Sequence, residues 1–147
     1  MKGLTLLEPW ASMMAMGYKR IETRSWSTEY RGEVAIHASA GKKSCRNAFD
    51  VAKIFVEARM TVPDGWPTEA WQYPLGKVIA VGRLIDVTEM TVDIINRVSD
   101  RERAFGIWKP GRFAWLVTSV RKIEHVPWKG ALGLWNVPAE LEARIAA

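Results

Sequence analysis

Alternating apolar and polar positions mark the strands of this chain. Leu4 and Leu6 fall on one face of the first such segment, and a two-residue period is typical of a half-buried strand. The predicted strands cover residues 2–7, 33–39, 77–87 and 112–120. Residues 121–126 either extend the last strand or begin another. Gly82 interrupts an otherwise apolar run, so we expect a bulge or a barrel bend there.

A period of three to four residues predicts the helices. They cover residues 9–16, 44–57, 99–106 and 138–145. Ser99 stands where a cap is expected, and Glu102 stands at the reciprocal position of a capping box. Residues 61–76 and 127–136 are rich in Gly, Pro and Trp and are predicted to be loops.

The order of these elements predicts an α+β fold. Several strands with non-local connections and two to four helices favour a small mixed β-barrel with flanking helices. The 147 residues are enough for one hydrophobic core. We therefore expect a single domain over residues 1–147.

Composition narrows the possible partners. A net charge of +5 suits a polyanion, although such an excess is also common in proteins that never meet nucleic acid. The single cysteine, Cys45, allows no internal disulfide, and no apolar run suits a signal peptide or a membrane span. We expect a cytoplasmic monomer without a membrane partner. Two histidines and one cysteine lack any standard zinc spacing, whereas a magnesium ion bound by carboxylates alone would leave no such pattern. We predict no metal site and no cofactor.

Charged residues are concentrated in the stretch from Gly17 to Trp26. Gly17 follows an apolar run and is predicted to end a helix in the left-handed conformation. After it, strand alternation puts Glu22 and Arg24 on one face, with Lys19 arriving from the turn. These three side chains form either a ligand site or a salt-bridge cluster at a barrel mouth.

Eight tryptophans are the outlying feature of the composition. Large aromatic side chains mostly fill cores, but aromatic residues beside basic ones also stack nucleobases. We expect one or two of the eight to stack on a ligand. The candidates are Trp10 at the start of a helix, Trp26 at the end of the charged stretch, and Trp115.

The charged stretch carries a family resemblance. Gly17, Lys19, Glu22 and Arg24 reproduce Gly-x-Lys-x-x-Glu-x-Arg, which resembles the signature of the activating signal cointegrator homology (ASCH) domain. The flanking segments are similar to stand-alone bacterial or phage members: residues 4–12, 31–32, 36–39 and 111–115. The resemblance implies a β-barrel related to the PUA modules that bind RNA, with the motif beside a cleft.

The resemblance implies two classes of function. One is a small hydrolase that removes the acyl group from N4-acetylcytidine and similar N4-acylated nucleosides, and the other is a module for single-stranded RNA, with or without ribonuclease activity. In the hydrolases the position of Glu22 can be threonine. The adjacent Thr23 does not replace it, because strand alternation points Thr23 to the other face.

For the hydrolase, the candidate catalytic residues are Lys19, Glu22 and Glu102. Either Glu22 takes the proton of water while Lys19 stabilises the oxyanion, or Lys19 is the base. Glu102 is the candidate distal acid, with helix capping as the alternative. The candidate substrate-binding residues are Arg24, Trp10, Trp26, His37, Ser39 and Trp115, and Arg24 either orients Glu22 or holds the pyrimidine carbonyl.

Overall fold

The computed structural model describes residues 1–41 and 48–147, with side chains from residue 50 onward in the second range. The predicted start of the second helix and Cys45 lie outside the described residues. The strands are β1 (Lys2–Leu6), β2 (Ile21–Arg24), β3 (Gly32–Ala38), β4 (Lys77–Glu89), β5 (Phe113–Pro127) and β6 (Leu134–Asn136). The helices are α1 (Trp10–Ala15), α2 (Ala48–Glu57), α3 (Val92–Arg97), α4 (Asp100–Ala104) and α5 (Ala139–Ala146), with a 3₁₀ turn at Ala70–Gln72.

The six strands form one sheet in the order β2-β5-β4-β3-β1-β6. Only the β1–β3 pair is parallel among these neighbours. The sheet curls into a half-barrel. Arg24 of β2 donates a hydrogen bond of 2.9 Å to the carbonyl of Thr5 in β1, although three strands lie between β2 and β1 in the order. The predicted α+β class and small mixed barrel are confirmed.

The two faces of the sheet pack against different helices. Ile36 and Trp115 belong to the core under α1, whereas the neighbouring Ala35 packs with Leu141 of α5 on the opposite face. This is the division that strand alternation requires. A third apolar cluster joins α2 to the loop after it, around Phe55 and Trp66.

Several boundaries differ from the predictions. The predicted loop over 127–136 is wrong at its end, because Leu134–Asn136 forms β6 on the edge beside β1. Three residues are too few to show a period of their own. The segment 121–126 extends β5, and Ser119 bends that strand with a φ of 52°. At Gly82 the pairing register shifts, as expected, and a Cβ there would lie 2.7 Å from the Val117 side chain.

Two helices follow β4 in quick succession. Thr91 caps α3 and Ser99 caps α4, each through a side-chain oxygen that accepts a backbone N–H. The pattern had predicted only the second of them. In the described ranges, 1–41 and 48–147, no helix has the length and apolar character to cross a bilayer.

Candidate functional site

The motif begins where α1 ends. Gly17 has a φ of 83°, the left-handed conformation predicted from its position. The amides of Tyr18 and Lys19 then both donate to the carbonyl of Met13, so the chain turns back under the helix. This turn directs the Lys19 side chain into the protein.

Lys19 is buried, with only 1% of its surface exposed. Its Nζ donates to the carbonyls of Ile21 at 2.6 Å and Phe105 at 2.7 Å, and lies 3.4 Å from Oε1 of Glu22. An ammonium group has three N–H donors, and two of them bind these carbonyls while Glu22 lies within ion-pair distance. Lys19 therefore joins β2 to the end of α4.

Glu22 is the centre of the charged cluster. Its Oε1 accepts from the amide of Thr23 at 3.1 Å in addition to the Lys19 contact. Its Oε2 accepts from Nε and Nη2 of Arg24 at 3.1 and 2.8 Å. A carboxylate offers about four lone-pair sites, and four donors surround this one.

Arg24 is held by contacts to β2 and β1, two strands that are far apart in the sheet order. Its Nε and Nη2 bind Glu22, and Nη2 also donates to the carbonyl of Thr5. Within the described part of the chain, its Nη1 makes no hydrogen bond to protein. The guanidinium plane is therefore fixed while one NH₂ group stays available.

A cleft of about 600 Å³ opens beside this cluster. Glu22 and Arg24 face it together with the residues that follow them, up to Trp26, and it is closed on other sides by residues 104–107 and 131–133. Five further residues complete the lining: Thr5, Leu7, Trp10, Ser39 and Arg112. Lys19 lies behind this surface and not on it.

The three candidate tryptophans separate into two groups. Trp10 and Trp26 both line the cleft and are partly buried. Trp115 is fully buried beneath Trp26, with their ring centroids 4.7 Å apart at 82°, and its Nε1 donates to the Trp26 carbonyl. Trp115 thus supports the cleft wall and presents no ring face to a ligand.

Ser39 and His37 occupy different surroundings, although His37 lies at the end of β3 and Ser39 follows the strand directly. Ser39 lines the cleft, and its hydroxyl accepts from the amide of Gly41. His37 is buried away from the cleft lining, where its Nε2 donates to the carbonyl of Trp128 at 2.9 Å. Burial lowers the pKa of His37, and the hydrogen bond to Trp128 opposes that shift.

Glu102 supports the motif from outside the cleft lining. Its carboxylate accepts from the amides of Arg20 at 2.7 Å and Ile21 at 3.2 Å. Ser99 caps α4 as predicted, but the reciprocal bond expected of Glu102 is replaced by these two bonds. The side chain orients the start of β2 and is 8% exposed.

The sequence reasoning did not identify Arg112, Ile107 or Leu132 as site residues. Arg112 lies in the Gly-Arg-Phe-Ala-Trp segment that carries part of the family resemblance, which was its one available signal. Thr23 also faces the cleft, and its hydroxyl accepts from the amide of Ile107 at 3.0 Å. Strand alternation alone had excluded it from this surface.

Glu8 is a second buried carboxyl group, at the start of α1. Burial raises its pKa to about 7, while hydrogen bonds from the hydroxyl and amide of Ser12 oppose the shift. Glu8 does not line the cleft. Across residues 1–41 and 48–147, no three histidine, cysteine or acidic side chains are grouped as metal ligands would be.

Comparison with known proteins identifies the family. The sequence model of the ASCH domain matches residues 4–127. Activating signal cointegrator 1 from Homo sapiens is 49% identical over 41 residues, and the protein of that name from Mus musculus is 48% identical over 40. These matches cover 28% and 27% of this chain but only 7% of each of those longer proteins.

Solved structures agree at the level of the fold. The crystal structure of ASCH from Zymomonas mobilis has a TM-score of 0.62 at 13% identity, covering 99% of this chain and 92% of that one. A mutant form of the same protein gives a TM-score of 0.60 at 12% identity, covering 99% and 95%. Because the ASCH domain model matches residues 4–127, the chain belongs to the ASCH domain family.

Proposed function

We propose that the cleft binds single-stranded RNA, with one nucleobase stacked on Trp26 or Trp10 and its polar edge on Arg24. The observation that carries this proposal is the fixed guanidinium of Arg24, which has an unused NH₂ group in a cleft lined by two tryptophans. Guanidinium groups donate to base carbonyls and phosphates, and aromatic rings stack unpaired bases.

The contacts of Lys19 and Glu22 favour binding over catalysis. A base needs a lone pair that can reach water, but Glu22 already accepts three hydrogen bonds, and the ammonium group of Lys19 lies 3.4 Å from its Oε1. Lys19 donates to two backbone carbonyls, forms an ion pair with Glu22, and does not line the cleft. Both residues hold Arg24 and β2 in position, so they act by positioning the residues that contact the ligand.

The charge balance supports a polyanionic ligand. The whole chain carries a net charge of +5, and the cleft lining contains Arg24 and Arg112 against Glu22 alone. Phosphate binding by cations releases counterions, so the affinity for RNA should fall as salt concentration rises.

The test is fluorescence anisotropy with a labelled pyrimidine oligoribonucleotide at several salt concentrations. Trp26→Ala should weaken binding by about tenfold, since one stacked base contributes roughly 1–3 kcal/mol. Trp71→Ala is the matched control, because Trp71 is 78% exposed and does not line the cleft. Trp10→Ala is tested beside Trp26→Ala, since both rings line the cleft. No binding at low salt, or losses in both of these variants no greater than in Trp71→Ala, would refute the proposal.

Hydrolysis of N4-acetylcytidine is the second candidate function, favoured by the 3.4 Å approach of Lys19 to Glu22 beside the cleft. In that reaction water adds to the acyl carbon as Glu22 takes its proton. The C–N bond then breaks, and N4 of cytidine leaves with the proton. Release of cytidine by the wild type, abolished in folded Glu22→Gln, would support hydrolysis, whereas absence of turnover would exclude it.

The same RNA samples test the remaining alternative. Gel electrophoresis of the oligoribonucleotide after incubation, with and without Mg²⁺, distinguishes binding from cleavage. Binding alone leaves the RNA at full length. Shortened RNA would instead indicate ribonuclease activity.

A further inference from the structure

Arg112 is the second guanidinium group of the cleft. It follows Gly111, which has a φ of 86°, and precedes β5. Its Nε donates to the carbonyl of Ile107 at 3.0 Å, and its Nη2 donates to the carbonyl of Thr23 at 3.3 Å. Two backbone carbonyls from different segments therefore fix the plane of this side chain.

Arg112 differs from Arg24 and Arg97 in its charge partner. Arg24 lies 2.8 Å from Glu22, and Arg97 lies 3.0 Å from Asp93. No carboxylate of the described residues lies within salt-bridge distance of Arg112. A fixed cation in a cleft without a protein counter-ion attracts anions from solution.

The two guanidinium groups are anchored next to each other. Arg24 belongs to β2, and the carbonyl that holds Arg112 belongs to Thr23, the preceding residue of the same strand. For each arginine, Nη1 makes no hydrogen bond within the described residues. One NH₂ group of each is thus available to a ligand in the cleft that both residues line.

We propose that Arg112 binds a phosphate group next to the base-binding position, so that the ligand is a nucleotide unit and not a free nucleoside. This inference rests on the proposed function of the cleft. The planar fork of a guanidinium matches phosphate oxygens, and such charge-assisted hydrogen bonds are stronger than neutral ones. The phosphate belongs either to a free nucleotide or to an RNA strand.

The experiment compares the affinities of the full chain for cytidine, cytidine 3′- and 5′-monophosphate, and a short oligocytidylate. The wild type should bind at least one monophosphate about tenfold or more tightly than cytidine, the gain expected of one charge-assisted contact. Arg112→Ala should remove that gain, so that cytidine and the monophosphates bind with equal affinities. Arg112→Lys should retain part of the gain in affinity, because the positive charge remains but the planar guanidinium donors are lost.

Arg97→Ala is the matched control, since it removes the same charge from α3, outside the cleft. Equal affinities for cytidine and both monophosphates in the wild type, or a gain that survives in Arg112→Ala, would overturn the role of Arg112 while leaving base binding intact. Failure of every cytidine ligand to bind would instead refute the proposed function, and the phosphate site with it.

The affinity for oligocytidylate, compared with that for the monophosphates, identifies the source of the phosphate. A strand is indicated if oligocytidylate binds more tightly than either monophosphate and with a steeper salt dependence. A free nucleotide is indicated if the monophosphate binds as tightly as the strand. Far-ultraviolet circular dichroism of Arg112→Ala and Arg112→Lys establishes that both variants are folded.

Discussion

The two walls of the cleft are built in different ways. The motif wall, residues 19–24, is held by charged hydrogen bonds around a Lys19 that is 1% exposed. The loop wall, residues 128–133, contains Leu132, which is 99% exposed. No hydrogen bond outside the sheet ladders of the described residues involves 131–133.

The loop wall is positioned at its base by close packing. The carbonyl of Trp128 accepts from His37, and its amide donates to the carbonyl of Gly76. Gly130 lies against His37 and Thr5, where a Cβ would be 2.5 Å from Nδ1 of the histidine. The motif wall thus depends on charged contacts, and the loop wall depends on the absence of a side chain at Gly130.

The comparison predicts that the motif wall carries the larger share of stability. Lys19→Met should lower the free energy of unfolding by about 3–5 kcal/mol, because it leaves Glu22 without one cation and two buried carbonyls without a donor. Urea denaturation measures the loss, with Lys53→Met on the exposed side of α2 as the control. A loss no greater than in the control would mean that the cluster does not stabilise the fold.

One added methyl group in the loop wall should lower the free energy of unfolding. Gly130→Ala should lower the free energy of unfolding by about 1–3 kcal/mol, since its Cβ would overlap His37 and Thr5. The double variant with His37→Ala should show less than the sum of the two single effects. Strict additivity in urea denaturation would contradict direct contact between Gly130 and His37.

Local pattern was sufficient to predict most of the sheet and the position of the motif. Gly17 ends α1 as its place after an apolar run requires, and Glu22 and Arg24 meet as strand neighbours two residues apart. These features depend on a few consecutive residues. The predicted strand β4 has the same basis, with its register shift at Gly82.

The partners of the site residues could not be predicted in this way. Glu102 reaches the amide of Arg20 across 82 positions, and Arg112 reaches Thr23 across 89. Neither distance in sequence leaves a periodic signal. His37 alternates correctly within β3, yet only the fold shows that the loop wall covers it.

A pH titration tests whether His37 holds the loop wall in its neutral form. Burial lowers its pKa below the ordinary 6.5, so below pH 6.5 the unfolded chain binds more protons at this residue than the folded protein. Its contribution to stability should therefore be complete above pH 6.5 and be lost as the pH falls towards the folded pKa. His37→Gln removes this titration and retains a donor for Trp128.

The measured quantity is the difference in unfolding free energy between wild type and His37→Gln at each pH. Glu8 contributes with the opposite sign, because its raised pKa of about 7 makes the folded state gain stability as the pH falls through 7. That contribution is common to both proteins and cancels in the difference. A difference that does not change with pH would show that His37 titrates equally in the folded and unfolded states.

The smallest expected effect is at Leu132, where a substitution should weaken binding without changing stability. Leu132→Ala should leave the urea midpoint unchanged, because the side chain is 99% exposed in the free protein. It should weaken binding of the proposed RNA by about threefold, since a ligand in the cleft would cover part of this apolar surface. Val92→Ala on α3 is the control, an exposed apolar residue outside the cleft. Equal affinities in these two variants would mean that the ligand contacts the motif wall alone.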